Sequence, residues 1–379
     1  MAKIKILHII KSLGRGGAEM LLPETLKLHD KSKFEFHYIY FLPWKDQMRD
    51  AIIEAGGNVV CFEAKNNVQL LLQAEKVIRY CKDHHIDLMH CHLPWAGFLG
   101  RWVHARTNIP MLYTEHNMQE RYHKITKILN KYSFNQQSLA LGVSEDVSNS
   151  IKNNIDPTIP VKTLLNGVNT SSFVRKPGED PVRIEFEIPK DALVFGNVAV
   201  FRFQKRLVEW LRVFAEIESK NSNVYGIIVG AGPLEHEIKE ELKQLGLEEK
   251  VFFPGLQTEV KPYFEAMDVF MMSSSFEGLP IALLEAMSME CAVVSTNAGG
   301  IKEVVGNNED GLLCDVERWE ELAALSQILI DNPQKLNKFK QAARKRVVEA
   351  FSLQRMVEEL ESYYYEEVGT KLQGDGVTS

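Results

Sequence analysis

Asp268–Thr296, DVFMMSSSFEGLPIALLEAMSMECAVVST, decides the fold. The apolar run DVFMM breaks at Ser273–Ser275 and again at Gly278 and Pro280. It resumes as IALLEAM and ends in the apolar, β-branched CAVVST. A strand, a loop, a helix and a second strand in close succession form a βαβ unit. The same rhythm precedes it in ALVFGNVAV (192–200), VYGIIVG (224–230) and KVFFP (250–254). Nearer the start it occupies KIKILHII (3–10) with a helix from Ala18, FEFHYIYF (34–41) with a helix near Asp46, and NVVCF (58–62) with a helix from Leu70 to Cys81. IDLMH (86–90), PMLYT (110–114) and LALGV (139–143) complete that half. Two α/β domains with doubly wound parallel sheets are expected.

Length agrees, because 379 residues exceed what one core of about 150 residues accommodates. Asn166–Pro189, with NGVNTSSF and KPGEDP, collects turn formers without an apolar period and reads as the linker. The expected domains are 1–180, 181–355, and a final helix over 356–370 crossing back to the first domain. Residues 369–379 read as a tail. After Gly311 the chain is expected to be helical, over Trp319–Ile330, Lys335–Ala350 and Leu353–Val368.

Composition excludes several classes. With 45% hydrophobic and 25% charged residues the chain is an ordinary globular protein. The five cysteines are widely spaced without a C-x-x-C pair, which fits neither a disulfide framework nor a zinc ribbon, and suits a reducing cytoplasm. No run reaches the roughly 18 apolar residues of a spanning helix. The first strand, MAKIKILHII, is broken by His8 and lacks a cleavage site, so it does not read as a signal peptide. Residues 1–180 hold 23 Lys+Arg against 18 Asp+Glu, and the rest hold 21 against 33. The first part is net +5, which suits an anionic partner such as a phospholipid surface or a lipid diphosphate; compositional drift gives the same figure. No nucleic-acid partner is indicated.

In parallel sheets, ligand sites lie beyond the carboxyl ends of the strands, where the motifs here also fall. Around Gly278, Leu279, Pro280 and Ile281, free amides at a helix start offer donors to sugar hydroxyls or phosphate oxygens, with Pro280 expected as the first helical residue. Glu277 and Glu285 are acceptors able to chelate a vicinal diol. After ALVFGNVAV, Arg202, Lys205 and Arg206 place cations where a diphosphate leaving group gains charge. The first loop carries Gly16 and Gly17 before a helix, which suits a phosphate or a plain turn; it is not the dinucleotide fingerprint. His116, past PMLYT, is either a packing residue or one that orients a sugar. His90 and His92 share one face of an extended chain; zinc is one reading, but no third ligand is positioned, and the acceptor side is the other for His92. Arg121, Lys124, Lys127 and Lys131 alternate with Tyr122, Ile125, Ile128 and Leu129 at helical spacing, as a solvated basic face or as a peripheral contact with an anionic membrane.

The E-x7-E spacing of FEGLPIALLEAM, with CAVVSTNAGGIKEVV after it, resembles the donor signature of glycosyltransferase family four, the group 1 glycosyltransferases, and nearly the whole chain can be laid on that family. The resemblance implies a GT-B fold, two Rossmann-like doubly wound parallel-sheet domains facing across a cleft. It implies a retaining transferase moving a hexose-type sugar from a nucleotide sugar, with UDP preferred, to a glycan or lipid-linked acceptor in surface polysaccharide or glycolipid synthesis. No covalent nucleophile and no metal are implied; the chain also lacks a D-x-D. By resemblance Glu285 holds the donor ribose and Glu277 with the adjacent amides holds the transferred sugar. Gly299 lines the donor pocket, Gly230 lies near it, and Phe253 and Leu256 flank the nucleobase. GGAE (16–19) faces the phosphates, Lys205 and Arg202 stabilise the diphosphate, and His116 stands near the anomeric centre. Many relatives carry an arginine where this chain has Val200, so either Arg202 replaces it or one contact is absent. A nucleotide-sugar epimerase and a non-catalytic nucleotide-sugar binder are the rival expectations. The expected location is cytoplasmic, with the membrane face as the peripheral variant.

Overall fold

The structure is a computed structural model and describes residues 3–176, 178 and 180–374. The chain forms two compact units, 1–166 with 353–379, and 167–352.

The first unit is built on seven parallel strands: β1 (Ile4–Ile9), β2 (Phe34–Tyr40), β3 (Asn58–Cys61), β4 (Leu88–His92), β5 (Met111–Glu115), β6 (Leu139–Gly142) and β7 (Val161–Thr163). Their order is β3-β2-β1-β4-β5-β6-β7. Order reverses between β1 and β4, where the register pairs His8 with His90, and β4 in turn pairs His92 with Thr114. Alternation therefore sends His8, His90, His92 and Thr114 to one face. Helices Gly17–Leu28 and Leu353–Gly374 supply Ala18, Leu21, Met356 and Leu360 over them.

The second unit has six parallel strands: β8 (Leu193–Val198), β9 (Val224–Val229), β10 (Val251–Gly255), β11 (Val269–Met272), β12 (Ala292–Thr296) and β13 (Gly311–Cys314). Their order is β10-β9-β8-β11-β12-β13, with reversal between β8 and β11. Trp210, Phe195, Phe214 and Met271 are fully enclosed in its core. Trp210 donates its indole N–H, and Asn197 its amide, to the Met271 carbonyl at 2.9 and 2.7 Å, so neither polar group is left unpaired.

Several expectations need correction. The first unit ends at Asn166 instead of residue 180, because Arg175 already belongs to the second: its guanidinium donates to the carbonyls of Phe264, Glu265, Met267 and Met289. The chain returns to the first unit at Leu353, three residues before the expected 356, and the helix continues to Gly374. Residues 369–374 are thus helical, and 375–379 lie outside the described residues, as do Pro177 and Glu179 of the expected linker. Gly311–Cys314 is a strand, where helix was expected. Pro280 is the extended residue before helix Ile281–Ser288, with ψ 120°, one position earlier than expected. Among the described residues, no helix is long and apolar enough to cross a membrane.

Arg175→Ala removes a charged donor from four carbonyls. Each charged hydrogen bond contributes about 1.5–3 kcal/mol, so the loss should reach several kcal/mol, read as a lower midpoint of thermal unfolding. An unchanged midpoint would mean the carbonyls find other donors.

Candidate active site

At the reversal point of the second unit, β8 leads through Val200 and Arg202 into a tight turn, Phe203–Lys205. Arg206 then takes φ 48° and starts helix Leu207–Lys220. From β11 the chain runs through Ser273–Ser275 to Glu277. The loops are tied together: Ser273 Oγ donates to the Lys205 and Arg206 carbonyls at 3.0 and 2.7 Å, and the Ser275 amide donates to the Gln204 carbonyl. This clamp brings the Lys205 ammonium to 2.6 Å from Glu277 Oε1, which also accepts from Ser274 Oγ at 2.6 Å. Both charges are mostly buried, and such a pair tolerates the loss of one partner poorly.

Two glycines let this site close up. Gly299 has φ 55°, and a Cβ there would sit 2.0 Å from the Glu277 carbonyl oxygen, while the Gly300 amide donates to the Gly278 carbonyl. Gly230 has φ 135°, and a Cβ would meet the Ala199 carbonyl at 1.9 Å. Backbone, with no side chain between, therefore lines the strand ends. Glu285 is buried on helix Ile281–Ser288. Arg202 is exposed at the mouth of the turn, and Leu256 lies exposed after β10. Phe253 packs edge-on against Phe201, which gives it a structural part.

The first unit's reversal point has a different chemistry. His8 Nδ1 and His92 Nε2 share a hydrogen bond of 2.9 Å. His90 bonds through Nδ1 to the Tyr364 hydroxyl and through Nε2 to Thr114 Oγ1. His8, which sequence reasoning passed over, is the third imidazole: His8, His90 and His92 each present a ring nitrogen within 4.8 Å of the others. His8 Nδ1, His92 Nε2 and both His90 nitrogens already hold one another or hydroxyls, and a metal using any of these would break existing hydrogen bonds. His92 Nδ1 and His116 Nε2 are enclosed and unpartnered, in a cavity of about 30 Å³ that has room for one water.

His116 owes its place to a residue the motif reading overlooked. Glu115, fully buried at the end of β5, accepts from the His116 and Asn117 amides, Tyr113 and Tyr122 hydroxyls and the Gln119 amide. Burial pushes its carboxyl above the usual range. Arg121 and Lys124 follow on the exposed side. At the first loop, Gly16 caps helix Gly17–Leu28, and the Glu19 carboxylate folds onto it while accepting from Ser12. A carboxylate already stands where a phosphate was expected.

Residues 179–346 match the family described as glycosyl transferases group 1, and residues 15–172 match glycosyltransferase family 4. The chain belongs to the family four glycosyltransferases. It is 24% identical over 303 residues to the N-acetyl-alpha-D-glucosaminyl L-malate synthase of Bacillus anthracis, covering 78% of this chain and 79% of that one. Against the UDP-Gal:alpha-D-GlcNAc-diphosphoundecaprenol alpha-1,3-galactosyltransferase of Escherichia coli it is 22% identical, with 98% and 99% covered. Among solved structures, Anabaena HepE in complex with UDP and glucose superposes with a TM-score of 0.84 at 20% identity, covering 96% of this chain and all of that one. The fold is therefore GT-B, and the enzyme is a transferase; neither an epimerase nor a passive binder is favoured.

The glycosyltransferase's histidine cluster makes its stability depend on pH. Burial, reinforced by neighbouring imidazoles, depresses His8 and His92; it takes His90 down to about 3 and His116 to about 4. The unfolded chain takes up protons near pH 6.5 that the fold refuses. Stability is thus complete above pH 6.5 and declines as pH falls toward 4, each histidine adding a slope of up to about 1.4 kcal/mol per pH unit. The thermal midpoint should drop between pH 6.5 and 5, above the ordinary carboxylate range. A flat midpoint over that window would contradict neutral burial.

Proposed function

We propose that this glycosyltransferase moves a hexose-type sugar, with retention and without a metal cofactor, from a UDP-type nucleotide sugar to a glycan or lipid-linked acceptor in polysaccharide or glycolipid synthesis. The observation that carries the reading is the Lys205–Glu277 pair beside glycine-lined backbone at the second unit's strand ends. A mostly buried cation and carboxylate are poised there to exchange each other for a diphosphate and a sugar hydroxyl. UDP bound in HepE, and the UDP-galactose donor and diphosphoundecaprenol acceptor in the name of the Escherichia coli relative, support these classes.

In this mechanism the second unit holds the donor. Lys205 and Arg202 take the diphosphate, supplying the positive charge a divalent ion would otherwise bring. The amides of Gly278, Leu279 and Ile281, beside Pro280, and the Glu277 carboxylate hold the sugar. Glu285 takes the ribose diol, and Gly230, Phe253, Leu256 and Gly299 line the rest. The first unit selects the acceptor, with His92, Arg121 and Lys124 on that side, Gly16 and Gly17 at the first loop and His116 orienting the sugar. The acceptor hydroxyl oxygen bonds to the anomeric carbon on the face from which the diphosphate departs. The bonding pair of the broken C–O bond stays on the diphosphate, whose oxygen takes the hydroxyl proton.

Lys205→Ala should lower the rate of transfer about 100- to 1000-fold, the usual loss when a fixed transition-state charge partner is removed. Full turnover in the folded variant would remove Lys205 from the mechanism. Transfer measured after exhaustive EDTA treatment should match the untreated enzyme. Loss of activity restored by a divalent ion would overturn the metal-free reading.

A further inference from the structure

Helix Lys124–Ser133 is turned the wrong way round for a globular surface. Its buried residues are polar, Thr126 and Asn130, whereas Ile125, Ile128, Leu129 and Tyr132 are 58, 55, 38 and 83% exposed. These four fall at i, i+3, i+4 and i+7, one continuous stripe along the outside. Lys124, Lys127 and Lys131 run beside it, all exposed and, among the described residues, without a salt bridge. The inward face is fixed from within. Arg101 is 1% exposed, and it donates to Asn130 Oδ1 at 3.0 Å and Ser133 Oγ at 2.9 Å; Asn130 Nδ2 then donates to Gln119 Oε1 at 3.0 Å. The helix cannot roll its apolar side inward without stranding a buried guanidinium.

Beside the stripe lies a cavity of about 140 Å³, walled by Ile128 and Ile155 and edged by Lys127 and Lys131. Glu120, which also feels the Lys127 charge, accepts from Ser150 and Asn154 and makes no salt bridge to these lysines.

We propose that helix Lys124–Ser133 lies in the plane of an anionic phospholipid surface, with Ile125, Ile128, Leu129 and Tyr132 entering the headgroup and acyl boundary and the lysines meeting lipid phosphates. An apolar stripe flanked by exposed cations matches such a surface in both polarity and charge. A second copy of the chain fits less well, since a two-fold contact would set lysines against lysines. The inference extends the lipid-linked acceptor class in the proposed function, but its test involves no sugar transfer, so either reading can fail alone.

The test is cosedimentation of the full chain with vesicles of phosphatidylcholine alone and with about a third phosphatidylglycerol. Binding is expected only to the second, weakening as salt is raised. Lys127→Glu/Lys131→Glu should weaken it at least roughly 20-fold, from the usual gain of a cation near an anionic surface. Ile125→Ser/Ile128→Ser should weaken it about tenfold or more with charge unchanged. All four positions are exposed, so the thermal midpoint should hold. The inference is overturned if the wild type binds neither vesicle, if it binds both equally, or if these variants bind as wild type does. Concentration-dependent self-association abolished by Ile125→Ser/Ile128→Ser would also overturn it, assigning the face to a second copy.

Discussion

The buried carboxylate of Glu115 is the constraint on which the first unit's histidine-lined face depends. A charge cannot be taken out of water unless its oxygens are filled, and here donors from Tyr113, Tyr122, Gln119 and two consecutive amides fill them. Satisfying Glu115 forces the chain after β5 to fold back around it, which aims His116 toward the histidine floor. Gln119, held by Glu115, accepts from Asn130, and Asn130 accepts from Arg101. One polar chain therefore runs from the end of a strand to the underside of an exposed helix.

The two units share a parallel topology but place opposite electrostatics at their reversal points. In the first, helix Leu353–Gly374 lays Met356, Leu360 and Tyr364 over the strand ends, so only neutral imidazoles can be buried there. In the second, the mostly buried pair Lys205–Glu277 stands beside closely packed, glycine-lined backbone. A neutral floor resists taking up a proton, because burial penalises the imidazolium that would form. A charged pair can hand its attraction to an incoming anion and hydroxyl. These are different chemical capacities drawn from one architecture.

Much of this was legible in the sequence, for a physical reason: parallel strands covered on both faces are written as apolar runs, and each such run here is a strand. The misses were the short edge strands β7 and β13, three and four residues long, which carry too little pattern to register. Glu277 and Lys205 could be named from their strand-end positions, but their contact bridges 72 residues and only the β8–β11 adjacency reveals it. His8 was missed because its partners lie more than eighty residues away. Glu115 was missed because its neighbour His116 carried the motif, though a glutamate directly ending a strand's apolar run was a signal in itself.

The helix after His116 shows why an amphipathic pattern alone does not say which side faces the core. Its apolar and polar stripes are equally plain in the sequence, and burial of the apolar one would be the ordinary outcome. The deciding partner is Arg101, on helix Leu93–Thr107, whose guanidinium is enclosed by the rings of Phe98, Tyr113 and Phe134. Burial lowers it to about 10, still cationic at neutral pH, so it requires oxygen acceptors from whatever helix packs above. Asn130 and Ser133 supply them. Rolling the helix by one residue, about 100°, would carry these acceptors away and leave the buried guanidinium with Gln137 as its remaining oxygen acceptor, at several kcal/mol. Four exposed apolar side chains are the counterpart of that constraint, and a lipid surface would cover them.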